Sequence, residues 1–120
     1  MSDLILHITS QTAWSAAQKI GAYTAESLAG EGFIHCSKMD QILRVAELVF
    51  ADQHGLVLLV IDPVLLCSEL RWEPGTDLVT ELFPHIYGPI NLNAVTDVLK
   101  FEPGLDGKFH LPKHLEFADH

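Results

Sequence analysis

Three histidines stand in short apolar stretches of this chain, where a strand rarely spends an interior position on imidazole. They are His7 in "LHIT", His35 in "EGFIHCS" (31–37) and His85 in "ELFPHIYG". A buried polar group without a partner costs about 1–3 kcal/mol, so each ring needs either a hydrogen-bond partner or a task. Imidazole changes charge near neutral pH and serves as acid, base or orienting group. Glu73 and Glu81 fall close to the last motif, and Tyr87, two residues past His85, shares its strand face. Imidazole, carboxylate and phenol are therefore available for acid–base work wherever the fold makes them converge. Any one of the three histidines taken alone reads more simply as a core residue bonded to backbone. Three of them in tight apolar segments, those of His35 and His85 also glycine-flanked, favour a shared cleft.

Other chemistries are less well supported. A metal reading of the three histidines lacks a short His-x-His or His-x-x-x-His spacing to fix two ligands on one element, so no metal is predicted. The "HIT" at 7–9 is not the alternating-histidine strand of nucleotide hydrolases, and no G-x-S-x-G elbow is present. In a regular strand Cys36 points away from the face of His35 and reads as small apolar filling. Trp14, Tyr23 and Trp72 read as core or pocket-wall aromatics. His54 reads as a turn residue, and His110, His114 and His120 as solvated residues of the tail.

The elements that must position these groups fit one domain of 120 residues. Apolar residues make up 48% and charged residues 19%, which excludes disorder. The net charge of −9, with seven Lys+Arg and no basic cluster, argues against a broad nucleic-acid surface. "MSDLILHITS" is not a signal peptide, and the longest apolar run, "LVLLVI", is far too short to span a bilayer. Cys36 and Cys67 read as reduced thiols, and the chain as cytoplasmic with no membrane partner. Oligomeric state is not legible in the sequence.

Strands are expected at Leu4–Thr9, Phe33–Ser37, Leu56–Ile61, Leu70–Trp72, Leu78–Leu82, Ile86–Tyr87 and Ala94–Phe101. Thr12 is expected to cap a short helix carrying Trp14, Ala17 and Ile20, which Gly21 stops. Ser37, with Asp40 three residues on, is expected to open a helix in which Ile42, Val45, Ala46 and Val49 share one face. "YTAESLAGEG" (23–32) reads as loop, and 102–120 as a loosely packed tail. The order β-α-β-α-β-β-β-β-β is α+β.

"LHIT", "SLAGEGFIHCS", "LVLLVIDP", "LRWE" and "LFPHIYGPI" together resemble the small bacterial family called domain of unknown function 952, from about Leu4 to Phe101. That family is itself similar to the ADP-ribosyltransferase-like superfamily. The resemblance implies a split β-sheet with two early helices around an NAD-binding cleft. "HIT" resembles the superfamily's first-strand "HGT" motif, which aligns His7 and Thr9; "FIHCS" resembles its "HVHLS"-like motif, which aligns His35 and Ser37. By that resemblance His7 and His35 position ribose and base, and Thr9, Ser37, Phe83 and Tyr87 contact the ligand. A third polar position orients the nucleophile or offsets the positive charge that builds on ribose when its C–N bond breaks. It falls on Glu81, His85 or Tyr87. The implied function is binding or transforming NAD or an ADP-ribosyl or nucleotide derivative in a histidine-lined cleft. The alternative is a non-enzymatic small-ligand or partner-binding domain that keeps the cleft without catalysis. Ile8 in place of the motif's glycine, with Arg44 and Arg71 as the only arginines, favours that alternative.

Overall fold

The computed structural model describes residues 4–75, 79–113 and 115. Its architecture is organised by β4 (Leu56–Ile61), whose unbroken apolar run is buried at every position. A strand buried on both faces needs a layer on each side, and β4 has them. It pairs antiparallel with β1 (Ile5–Ser10) and with β8 (Val95–Lys100), giving the sheet order β1-β4-β8. Side chains alternate between the faces. Ile5, Val57, Leu59 and Ile61 pack with Trp14 and Ala17 of α1 (Gln11–Ile20) in one core cluster. Leu6, Ile8, Leu58 and Val60 pack with Ile42 and Ala46 of α3 (Ile42–Val49) in the other.

A second antiparallel sheet, ordered β3-β6-β5, joins β3 (Ile34–His35), β6 (Leu82–Tyr87) and β5 (Glu69–Pro74). Its Ile34 and Ile86 belong to the same core cluster as α1. The two-residue strands β2 (Ala22–Tyr23) and β7 (Ile90–Asn91) pair with each other. The two larger sheets meet at Ser37, which bridges Leu6 by a reciprocal pair of 2.8 Å backbone hydrogen bonds. The protein is thus α+β, with three helices in its first half and antiparallel sheets throughout.

Several local expectations are corrected. Ser10, not Thr12, caps α1: its hydroxyl accepts from the Ala13 N–H at 3.0 Å, because the strand ends on it and the helix begins at once. Gly21 closes that helix in the left-handed conformation, φ 102°, as expected. The stretch read as loop contains a third early helix, α2 (Glu26–Glu31), stopped by Gly32 at φ 91°. Ser37 does not open α3, since its backbone is committed to Leu6; the helix starts at Ile42 after a turn that Gln41 holds by accepting from the Lys38 N–H. Leu82 and Ile86–Tyr87 belong to one strand that runs through Pro84, while Val79 and Thr80 form a turn and Leu78 lies outside the described residues. The segment after Glu102 is not a loose tail as far as it is described. Phe109 and Leu115 are core residues, Phe109 stacks on Phe101 at 4.8 Å, and its N–H donates to Glu47. His114 and His120 lie outside the described residues.

Candidate functional site

Strand register sets the site. In β6 alternate residues Phe83, His85 and Tyr87 face one way, and in β5 their partners are Glu73, Arg71 and Glu69. On the other side of β6, His35 lies directly opposite His85. One face of this sheet is therefore imidazole, carboxylate, phenol and guanidinium. The opposite face, with Ile34, Cys36, Ile86 and Leu70, is core. Burial raises the Cys36 thiol far above its ordinary range, so it stays protonated and apolar in character, as its strand position suggested.

Each imidazole of the polar face has a carboxylate beside it. His85 is 2% exposed, and its Nδ1 lies 2.9 Å from Glu73 Oε1. The Tyr87 hydroxyl donates to the same oxygen at 2.6 Å. Hydrogen bonds from Tyr87 and then His85 hold the Glu73 carboxyl below the usual carboxylate range, and the Glu73 carboxylate in turn raises the Tyr87 phenol. His35 Nε2 lies 2.8 Å from Glu31 Oε2. A carboxylate only accepts, so in the uncharged rings the proton sits on Nδ1 of His85 and on Nε2 of His35. His85 Nε2 and His35 Nδ1 are left as acceptors. Phe33 packs the group together: it stacks on His85 at 4.1 Å and 19° and meets His35 edge-on at 4.8 Å. The Arg71 guanidinium lies 4.4 Å from the Tyr87 ring centre while donating to Glu69.

A cavity of about 290 Å³ opens beside this face. His35, His85 and Phe83 line its sheet side, with His7 and Ser37; Val45, Leu48, Val49 and Phe50 form an apolar wall from α3 and its end. Thr9, Tyr87 and Glu81 do not line it.

His7 is placed differently from His35 and His85. It is buried on the core side of β1, with both ring nitrogens satisfied: Nδ1 by the His35 carbonyl at 2.6 Å, Nε2 by Tyr23 Oη at 2.7 Å. Tyr23 Oη is in turn 2.9 Å from Thr9 Oγ1. Burial lowers the His7 pKa to about 4, so the ring is neutral. A carbonyl only accepts, so Nδ1 carries the hydrogen and Nε2 accepts from Tyr23. This is a satisfied core histidine that fixes the carbonyl of His35, and Thr9 belongs to the same internal network. Glu81 is taken up elsewhere. It forms a two-point ion pair with Arg44 and accepts from Gln41 at 3.2 Å; its carboxyl is pulled down to about 2, by Arg44 first. It ties the start of β6 to α3.

The carboxylate that backs His85 is Glu73, which the sequence placed near the motif without a role. Its signal was the alternation Glu69, Arg71, Glu73 against Phe83, His85, Tyr87, usable only once the register is known. Glu31 and Phe33 carried no signal beyond proximity to His35. Among the described residues, no group of three or more His, Cys, Asp and Glu side chains is arranged to hold a metal ion.

An α+β protein with a cavity between a histidine-bearing sheet and a helix is the class that fold and site define. Residues 8–98 match the family described as "Protein of unknown function (DUF952)", and the chain belongs to that family. Among solved structures, it is similar to the crystal structure of protein CC0527 from Caulobacter crescentus. The identity is 32% and the TM-score 0.82, covering 94% of this chain and 98% of that one. The solution NMR structure of the same Caulobacter protein matches with TM-score 0.80 and 32% identity over 96% and 98% of the two chains. No curated protein matches. No helix among the described residues is long and apolar enough to cross a membrane.

Proposed function

We propose that the cavity is an ADP-ribosyltransferase-like ligand site that binds the ribosyl end of NAD or of an ADP-ribosyl or nucleotide derivative, and that His35 and His85 handle its hydroxyl protons. The observation that carries this reading is the pair of carboxylate-backed imidazoles on the cavity wall, His35 with Glu31 and His85 with Glu73. A carboxylate behind an imidazole fixes its tautomer and supports the positive charge that forms when the free nitrogen takes a proton. Sugar hydroxyls are donors of the kind two such acceptor nitrogens recognise. Glu73 takes the carboxylate role for which Glu81 was one of three candidates with His85 and Tyr87, acting through His85 as a positioning residue. Thr9 acts behind the wall, and His7, which borders the cavity, keeps both ring nitrogens on internal partners.

The test is a thermal-shift titration with NAD⁺, ADP-ribose, nicotinamide, nicotinamide riboside and adenosine, on wild type and His35→Ala. A ligand at a hundred times its Kd adds about 2.7 kcal/mol of stability, readily seen in Tm. A shift in wild type that His35→Ala loses supports the reading; no shift with any compound overturns it.

A specific observation favours a second reading, binding without turnover. Ile8, in the position of the superfamily's glycine, packs with α3 and borders the cavity, so a side chain stands where the motif has none. Ligand binding with no consumption of ligand over a long incubation would select it.

A further inference from the structure

Resting on that reading of the cavity, we infer that the site takes an unphosphorylated nucleoside-class group, uncharged or cationic, and binds its phosphorylated form less well. Three independent features of the cavity carry this.

The first is charge. The chain has seven Lys+Arg residues, all of them among the described residues, and none lines the cavity. Both arginines are committed, Arg44 to Glu81 and Arg71 to Glu69. Lys38, beside Ser37 of the lining, has its Nζ 3.9 Å from Asp40. Proteins hold phosphate with Arg forks, Lys or clustered N–H donors; this cavity offers no Lys or Arg.

The second is the sense of the hydrogen bonds. In the uncharged rings Glu73 and Glu31 take the N–H of His85 Nδ1 and His35 Nε2, so the remaining nitrogen of each of these two cavity-lining residues is an acceptor. Lone pairs attract hydroxyl and amide hydrogens and repel phosphate oxygens. The two carboxylates, one hydrogen bond behind the rings at 2.9 and 2.8 Å, add to that repulsion and favour a cation. The polar face of the sheet already holds one cation on an aromatic ring, the Arg71 guanidinium over Tyr87.

The third is size. Pockets that enclose a drug-sized ligand run from about 300 to 1,000 Å³, and this one is about 290 Å³. It holds one nucleoside-sized fragment and leaves a dinucleotide's pyrophosphate outside. The residues therefore fit the ribosyl end of NAD and do not fit its pyrophosphate.

Calorimetric titration of the full chain with nicotinamide riboside and its 5′-monophosphate, and with adenosine and its 5′-monophosphate, at low and high salt, tests this. The expected result is at least fivefold tighter binding of one nucleoside than of its own monophosphate, with the difference shrinking in high salt. Equal affinities, or tighter binding of the monophosphate, overturn the inference while leaving the cavity a nucleotide site. Binding of none of the four, nor of NAD⁺ or ADP-ribose, overturns the functional reading and the inference together. Val49→Trp, at the exposed end of α3 where it lines the cavity, is the control: it abolishes the heat of a ligand held there and leaves that of one bound elsewhere on the surface.

Discussion

His35 and His85 face one another across the β3–β6 register, ring centres 5.4 Å apart and planes at 77°. Neither ring is hydrogen-bonded to the other; each turns one nitrogen to its own carboxylate, Glu31 or Glu73. Two bases that could have repelled each other on protonation are thus each given a separate counter-charge.

Glu73 and Glu81 separate cleanly by substitution. Glu73→Gln keeps an acceptor for His85 but removes the charge, and ligand affinity falls about tenfold, a size common for a charge-assisted contact. Glu81→Gln leaves affinity within about twofold. It should instead remove part of the acid limb of stability. The Glu81 carboxyl, depressed to about 2 in the fold, contributes stability above the ordinary carboxylate pKa that is lost as pH falls towards 2. Isothermal titration and urea unfolding from pH 5 to pH 2 measure both. Loss of binding in Glu81→Gln alone would mean the wrong carboxylate has been assigned to the site.

His7 predicts a pH dependence of the opposite origin. Its folded pKa of about 4 lies below the unfolded value of 6.5, so as pH falls the unfolded chain takes up the proton first. Stability from this group is complete above about pH 6.5 and declines down to about pH 4, by roughly 3 kcal/mol in total. Urea midpoints at intervals between pH 7 and 4, compared with His7→Gln, isolate this contribution. An identical slope in the variant would show that His7 is not the titrating group.

The packed segment beyond Glu102 predicts that Phe109→Ala costs about 3–5 kcal/mol, the usual cost of emptying a buried aromatic site. Removing residues 103–120 should cost at least as much. A truncated chain with an unchanged melting temperature would show that this segment adds nothing to the core.

Val49→Trp should abolish the ligand-induced rise in Tm while shifting the Tm of the free protein little. Val49 is about half exposed, and substitutions at such positions usually stay within about 0.5 kcal/mol. A preserved ligand shift would place binding away from the α3 wall.

How far the sequence carried these features depends on the range of the interaction involved. Leu56–Ile61 was found to the residue, because six consecutive apolar residues ending at Asp-Pro specify a buried strand locally. Gly21 as a helix stop is likewise local. Ser37 was misread because its capping ability is local, whereas what holds it is the distant Leu6. His35 and His85 were legible as motifs and expected in one cleft, whereas their pairing across β3 and β6 emerges only from the register. Their carboxylates were not legible, since Glu73 reaches His85 only through the β5–β6 register and Glu81 is drawn off by Arg44, 37 residues earlier. His7 showed the limit of residue type as a guide. Its apolar setting was read correctly, yet the same setting is what neutralises and occupies it.

The run Ile34–Ser37 belongs to two sheets in four residues: Ile34 and His35 pair with β6, Cys36 donates to the Pro84 carbonyl at 3.1 Å, and Ser37 pairs with Leu6. It works as a seam. The backbone of His35 cannot move away from that of His85 unless this stitching opens, and His7, on β1, holds the His35 carbonyl from behind. The site therefore borrows its rigidity from the interior of the other sheet. Amide hydrogen exchange at Leu6, Cys36 and Ser37 should slow and quicken together, as one cooperative unit, and the moment that unit opens is the moment the paired imidazoles cease to exist as a pair.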